Sequence, residues 1–174
     1  MTVPIHAMGE HWHPEGFQRT PLGALVARAK DDREPEAISE LAELFGQWAT
    51  TLVLPHDLVV TAVAPSPERE DRLAEEMAAA VAVAVDRPLA LYLVERRHAT
   101  SRLRDADPSE RPALTQAAGY SVDPAARGRS VVLVDDVVLT GTTINHVAAL
   151  LGEEGALEVV GLVATRTRRD TAPD

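Results

Sequence analysis

Residues 130–151 read SVVLVDDVVLTGTTINHVAALL. Val131 to Val134 form an unbroken apolar run, the pattern of a strand buried on both faces in a parallel sheet. The run delivers two adjacent carboxylates, Asp135 and Asp136. A turn of Thr140, Gly141, Thr142 and Thr143 follows, and then an apolar period on Ile144, Val147, Leu150 and Leu151 that predicts a helix. In open α/β sheets, ligands gather beyond the carboxyl ends of the strands, where both aspartates fall. Neighbours on an extended chain point opposite ways, so the pair meets one ligand only if the strand bends at its end. Ionised carboxylates offer acceptors only. Their natural partners are hydroxyl donors, such as a sugar cis-diol, or hydrated Mg²⁺. The turn offers the complement: backbone N–H groups and the positive end of a helix dipole suit an anion. Gly141 lets the main chain come close or take a positive φ. A ribose 5-phosphate satisfies both ends. The same residues also suit an ordinary strand end and helix cap, and spacing alone does not choose between the two readings.

Working outward, the rest of the chain alternates. Residues 1–19 show no period; His11 and His13 lie near Glu10 and Glu15 in a Pro/Gly-rich stretch and read as solvated. Thr20 and Pro21 form an N-cap and first-turn proline, predicting a short helix to about Lys30. A longer helix from Pro35 carries Ala37, Ile38, Leu41, Leu44, Phe45, Trp48 and Leu52 on one stripe. DLVVTAVAP (57–65) is a buried strand stopped by proline. The next helix turns Leu73, Met77, Ala80, Val81 and Ala84 inward. PLALYLVE (88–95) reads as a strand. From Arg96 to Gly128 no sustained apolar period appears, beyond a short extended piece at GYSV, and a stretch of that length in a compact domain is usually a functional loop or disordered. The strand Ser130–Val134, the acid pair, a helix and the strand LEVVGLVAT (157–165) complete the order. This β-α-β-loop-β-α-β alternation predicts an α/β fold with a mostly parallel sheet and helices on both faces. The expected organisation is an N-terminal helical segment at 1–56, a core at 57–167 with a flexible loop at 96–119, and a polar tail at 168–174.

Composition narrows the function. A chain of 174 residues fits one domain and buries roughly 70% of its unfolded surface. Cysteine is absent, which removes thiol catalysis, disulfide scaffolds and zinc ribbons. No apolar run reaches the ~20 residues of a membrane span, and no basic-then-apolar leader pattern appears, so the expectation is a soluble, cytoplasmic protein. The formal charge of −10 and the 3% aromatic content speak against nucleic acid as a partner. Lys30 is the only lysine, so 16 of the 17 bases are arginine, the better fork for phosphate oxygens.

VVLVDDVVLTGTT (131–143) strongly resembles the PRPP-binding signature of type I phosphoribosyltransferases, where an apolar strand, two acids, two variable residues and a threonine-glycine loop follow one another. The layout from about Leu22 to Thr167 also resembles the ComF-like branch, without its cysteine zinc ribbon. The resemblance implies a type I phosphoribosyltransferase fold with a small N-terminal hood. Asp135 and Asp136 would bind the ribose 2- and 3-hydroxyls and hold Mg²⁺ through water. Val137, Val138, Leu139, Thr140, Gly141, Thr142 and Thr143 would form the 5-phosphate loop. Ala64, Pro65, Ser66 and Arg69 lie where the family keeps its pyrophosphate loop, with Arg72 nearby. Arg96, Arg97, Arg102, Arg104 and Arg111 belong to the segment that corresponds to a mobile catalytic loop, and Arg96, Arg97 and Arg102 are the catalytic candidates with the acid pair. Leu139 departs from the family's usual Thr or Ser, losing one side-chain donor and making purine salvage with a carboxylate there less suited. The implied reaction moves phosphoribosyl from PRPP to a nitrogen nucleophile and releases pyrophosphate, in nucleotide metabolism. A PRPP-sensing regulator without turnover, or a ComF-like partner in DNA uptake, is the alternative. The partners implied are PRPP and a small nitrogenous acceptor, and the resemblance allows a homodimer.

Overall fold

The structure is a computed structural model and describes residues 3–13, 18–68, 72–99, 107 and 109–167. In chain order the elements are β1 (Ile5–Glu10), α1 (Pro21–Lys30), α2 (Pro35–Ala49), β2 (Leu58–Ala62), α3 (Leu73–Ala84), β3 (Val94–Arg96), α4 (Arg111–Ala117), β4 (Tyr120–Val122), β5 (Ser130–Val138), α5 (Thr142–Glu153) and β6 (Glu158–Arg166). The central sheet runs β1-β6-β5-β2, and every neighbouring pair is parallel. Leu89 adds a parallel bridge to Val60 outside β2. β3 and β4 pair antiparallel in a separate two-stranded sheet.

The strands alternate between two cores. Val60, Val132, Val134, Val160 and Leu162 pack with α1, α2 and α3. Val59, Val131, Leu133, Val159 and Val163 pack with α5 and the β3–β4 region. Both faces are covered, which is why β2 and the first part of β5 read as continuous apolar runs. In α2 the stripe residues Ala37, Leu41 and Phe45 are fully buried. Leucine or phenylalanine burial of this kind contributes about 1.5–3 kcal/mol per side chain. α1 starts as its sequence dictates: Thr20 Oγ1 accepts from Gly23 N–H at 2.9 Å, and its hydroxyl donates to the Glu10 carbonyl at 2.6 Å. The cap therefore also fixes α1 to the end of β1.

Several expectations are corrected. Residues 5–10 form β1, which hydrogen-bonds along β6 although its own sequence has no period. His11 is buried rather than solvated, because it follows β1 beneath the start of α1 and meets Thr165. The stretch 88–95 is no continuous strand: Leu89 makes a single bridge, Leu91–Leu93 is a 3₁₀ turn, and only Val94–Arg96 is extended. Within 96–128, α4 interrupts the expected loop, while β4 falls on the extended piece expected at GYSV. β5 continues past Val134 to Val138 because β6 goes on pairing with it. Leu44 of the α2 stripe is exposed, as is Ala84 of α3, where Ala78 and Ala82 are buried instead. The polar tail from 168 lies outside the described residues.

Candidate active site

The connection from β2 through α3 leads outward to Leu89, whereas that from β5 through α5 leads to β6 on the other side. The strand order thus reverses between β2 and β5, and a crevice at such a switch point is where open α/β sheets bind ligands. Pairing of the two strands ends at Ala62 with Val134, and Val63 N–H still donates to the Val134 carbonyl at 2.8 Å. β2 then gives way to Ala64 and Pro65, while β5 runs on along β6. Asp135 and Asp136 are the first residues beyond this parting.

With β2 gone, the local amides turn to side chains. Asp135 Oδ1 accepts from Asp136 N–H at 2.9 Å, and Asp136 Oδ1 accepts from Val137 N–H at 2.6 Å. Strand alternation sends the two carboxylates to opposite faces. Asp136 lies on the side of Val132 and Val134, is buried, and meets Lys30 of α1, whose Nζ stands 2.6 Å from Oδ2. Asp135 is half-buried on the α5 side, close enough to Tyr120 to act on its phenol electrostatically.

Beyond the acids, Gly141 caps α5 in the left-handed conformation, with φ of 75°. The Thr140 and Thr142 hydroxyls are hydrogen-bonded to each other at 2.7 Å. Asn145, one turn into α5, donates from Nδ2 to the Gly141 carbonyl at 2.9 Å and accepts at Oδ1 from Val3 N–H at 3.2 Å. The loop is thereby tied to the segment that precedes β1. Leu139 and Thr143 are half-buried beside it.

Across the crevice lies a cavity of about 300 Å³, lined by Ala64, Pro65, Ser66, Arg72, Arg96 and Arg97 among others. Arg72 is shared with Glu75, which its Nη1 reaches at 2.9 Å. Arg96 faces Tyr120 across the β3–β4 pair, and its guanidinium carbon lies 5.7 Å from the ring centroid. Burial pushes the Tyr120 phenol up to about 12, a rise that Arg96 opposes and Asp135 reinforces. Tyr120 is therefore a neutral hydroxyl through the physiological range. The described residues thus place a cavity lined by Arg72, Arg96 and Arg97 together with Glu75 and Glu95, an acid pair and a helix-capping loop along one end of the sheet. Arg111 is buried at the start of α4 and does not line the cavity. Arg69, Arg102 and Arg104 lie outside the described residues.

Sequence reasoning missed three residues. Lys30 carried one signal, its being the only lysine; Tyr120 and Asn145 carried none, since their partners are distant in the chain. Burial, with Arg19 and Lys30 nearby, lowers the pKa of His11 from its ordinary value, against the opposing pull of Asp31 and Asp136. Among the described residues no group of three or more His, Cys, Asp or Glu side chains is placed to hold a metal, and no helix is long and apolar enough to cross a membrane.

The chain is similar to several known proteins. The family model of the phosphoribosyl transferase domain matches residues 71–174. The solved structure of the allosteric regulatory enzyme of purine biosynthesis superposes with a TM-score of 0.52 at 26% identity, over 73% of this chain and 26% of that one. The chain thus spans about a quarter of that enzyme's length. The AQ2163 protein of Aquifex aeolicus superposes with a TM-score of 0.50 at 11% identity, over 94% of this chain and 86% of its own. A hypoxanthine phosphoribosyltransferase from Staphylococcus aureus gives 0.48 at 12% identity, over 80% and 70%. A search of curated protein sequences finds no match. The family model covers more than half of the chain, including β5, the acid pair and the capped loop, and on that ground the chain belongs to the phosphoribosyl transferase domain family.

Proposed function

We propose that this protein binds PRPP with Mg²⁺ and transfers its phosphoribosyl group to a nitrogen nucleophile, releasing pyrophosphate. The observation that carries this reading is the succession, along the crevice at the switch point, of the arginine-lined cavity, the acid pair and the Gly141 loop. Their order matches that of a ligand with pyrophosphate at one end, a diol in the middle and a phosphate at the other. The finer placement in the ComF-like branch rests on the sequence layout from Leu22 to Thr167.

The protein's part is positioning and electrostatics. The loop amides and threonine hydroxyls at the α5 N-terminus hold the 5-phosphate. The acid pair, one carboxylate on each face of β5, offers acceptors to the ribose hydroxyls and to the water around the metal. Arg96 and Arg97, with Ser66 and the neighbouring backbone, take up the charge that grows on the leaving pyrophosphate as the C1–O bond loosens. Tyr120 holds the Arg96 head by its ring face, a cation–π contact. The donor set fits Mg²⁺, which prefers a few hard carboxylate oxygens completed by water and substrate phosphates over an all-protein cage. When bound there, the ion would neutralise pyrophosphate charge as a Lewis acid.

Incubation with Mg²⁺-PRPP and a panel of nitrogenous bases and small amines, following pyrophosphate, tests the proposal. Acceptor-dependent release, lost in the Asp135→Asn/Asp136→Asn variant, is expected. Tight PRPP binding with no release for any acceptor would replace the enzyme reading with a PRPP-sensing regulator. Absence of PRPP binding would overturn both.

A further inference from the structure

The two aspartates are chemically alike but not alike in setting. Asp136 is held on both oxygens, by Val137 N–H at 2.6 Å and by Lys30 Nζ at 2.6 Å. The Asp136 side chain is only 10% exposed and that of Lys30 27%, so the pair is shielded from the screening that weakens surface ion pairs. Lys30 is also firmly placed. It sits in the last turn of α1, where the negative end of the helix dipole favours a cation. The helix itself is anchored by buried Leu25, Val26 and Ala29 and by the Thr20 cap. Asp135 points to the other face of the sheet, toward Tyr120.

We propose that Lys30 is a positioning residue of the ribose end of the site, a built-in counter-ion that locks Asp136 and cancels one of the two negative charges of the acid pair. This rests on the PRPP reading above and deepens it. Two carboxylate charges beside a phosphate-rich anion would repel it; a carboxylate matched by an ammonium keeps acceptor lone pairs for a ribose hydroxyl and adds little repulsion. Asp136 is thus a fixed, neutralised acceptor. The arrangement also ties α1, on one face of the sheet, to the reacting end of the crevice.

Opposite charges on the two ligands make the idea testable. Lys30→Gln keeps a polar head without the charge, and Lys30→Arg keeps the charge. Binding is measured for two probes separately, Mn²⁺ alone by the loss of its free-ion resonance, and PRPP in chelator by calorimetry. Loss of a unit positive charge near the site should make Mn²⁺ bind about tenfold tighter and metal-free PRPP about tenfold weaker, as expected for a charge a few ångströms away in a partly shielded site. Lys30→Arg should stay within about threefold of wild type for both, by the same reasoning. A purely structural lysine would weaken both ligands together, and an irrelevant one would change neither; either result overturns the proposal.

Should Lys30→Gln fail to fold, the single lysine allows the same comparison on folded wild-type protein. Acetylation removes the charge and reductive dimethylation retains it, with acetylated Lys30→Arg controlling for the α-amine. The acetylated protein should show the two opposed shifts and the dimethylated protein neither; equal behaviour of the two overturns the proposal. Wild-type protein that binds neither probe would instead sink the PRPP reading, and this inference with it.

Discussion

Replacing Gly141 by alanine tests whether the loop before α5 needs the backbone path seen here. The residue has φ of 75°, in the left-handed region, where an L side chain costs roughly 1–2 kcal/mol. A Cβ at this position would also lie 2.9 Å from Asn145 Nδ2 and 3.3 Å from Ile5 Cδ1. Asn145 is the residue that holds the Gly141 carbonyl and the Val3 amide, so moving it disturbs two hydrogen bonds, each worth about 0.5–1.5 kcal/mol. Together these costs come to about 2–5 kcal/mol, against about 1–2 for the backbone effect alone. Gly128 supplies the internal control, with φ of 72° and nothing within 4 Å of where an alanine Cβ would stand. At roughly 2–4 °C of Tm per kcal/mol for a chain of this size, Gly128→Ala should lower Tm by about 2–8 °C and Gly141→Ala by about 4–20 °C. Calorimetric titration with ribose 5-phosphate separates the two further: Gly141→Ala should weaken binding at least about tenfold, and Gly128→Ala should leave it within about twofold. If the two variants lose the same stability and bind the phosphate equally, neither the Asn145 clamp nor the loop path matters, and the phosphate assignment falls.

Leu139→Thr adds a hydroxyl to the loop at a point far from the reacting C1. Steady-state kinetics should show KM for PRPP reduced by about tenfold with kcat little changed, since the gain is the same in ground and transition states; a rise in kcat alone would place residue 139 at the chemistry. In a Tyr92→Phe background Tyr120 is the sole tyrosine, and its near-ultraviolet titration should have a midpoint near about 12, set by burial; a midpoint near about 10 would mean that the phenol is solvated. His11 binds its proton less readily folded than the ordinary value of about 6.5, so in the window below that value the unfolded chain holds more protons. Its contribution to stability is thus full above about pH 6.5 and declines as pH falls through the window, and urea melts of His11→Gln should show a flatter pH dependence than wild type. A His11→Gln profile with the wild-type slope would assign the acid sensitivity elsewhere.

What the sequence made legible follows from how local each signal was. β2 and the first half of β5 announce themselves because burial on both faces leaves almost no polar residue in the run. α1 is legible from Thr20 and Pro21 to Lys30, since a cap and a first-turn proline are contacts within one turn. β1 is not, because an edge strand with only partial burial needs no apolar period; its ladder is supplied by β6, at the far end of the chain. The stretch 88–95 misleads for the opposite reason. Its middle, Leu91–Leu93, is a 3₁₀ turn whose Tyr92 is 60% exposed, and the stretch meets the central sheet through a single bridge, Leu89 with Val60, whose hydrogen bonds come from Pro88 and Ala90. Around the crevice, the acids and the glycine loop are contiguous and could be read together, and the order of the strands put Ala64–Ser66 near Arg96 and Arg97. Lys30 could not be read: a cation in a helix's last turn is what the dipole favours in any helix, and nothing local says that it reaches across to Asp136.

The adjacency of the two aspartates gains its meaning from the period of the strand. Two carboxylates side by side on an extended chain cannot both face the same layer. β5 therefore presents one to each, and each recruits a different part of the chain. Asp136 engages α1 through Lys30, and Asp135 acts on Tyr120, which in turn faces Arg96 at the rim of the cavity. The dipeptide sits where β2 has left the sheet, so the amides that would have continued the ladder are satisfied by the acids themselves. The early end of the neighbouring strand thus opens the crevice beside both acids. It also makes the site depend on an N-terminal helix and a cross-strand pair that share no sequence with the signature. Substitution of either acid should consequently be felt in different places: Asp136→Asn in the docking of α1, and Asp135→Asn at the Tyr120–Arg96 side of the cavity.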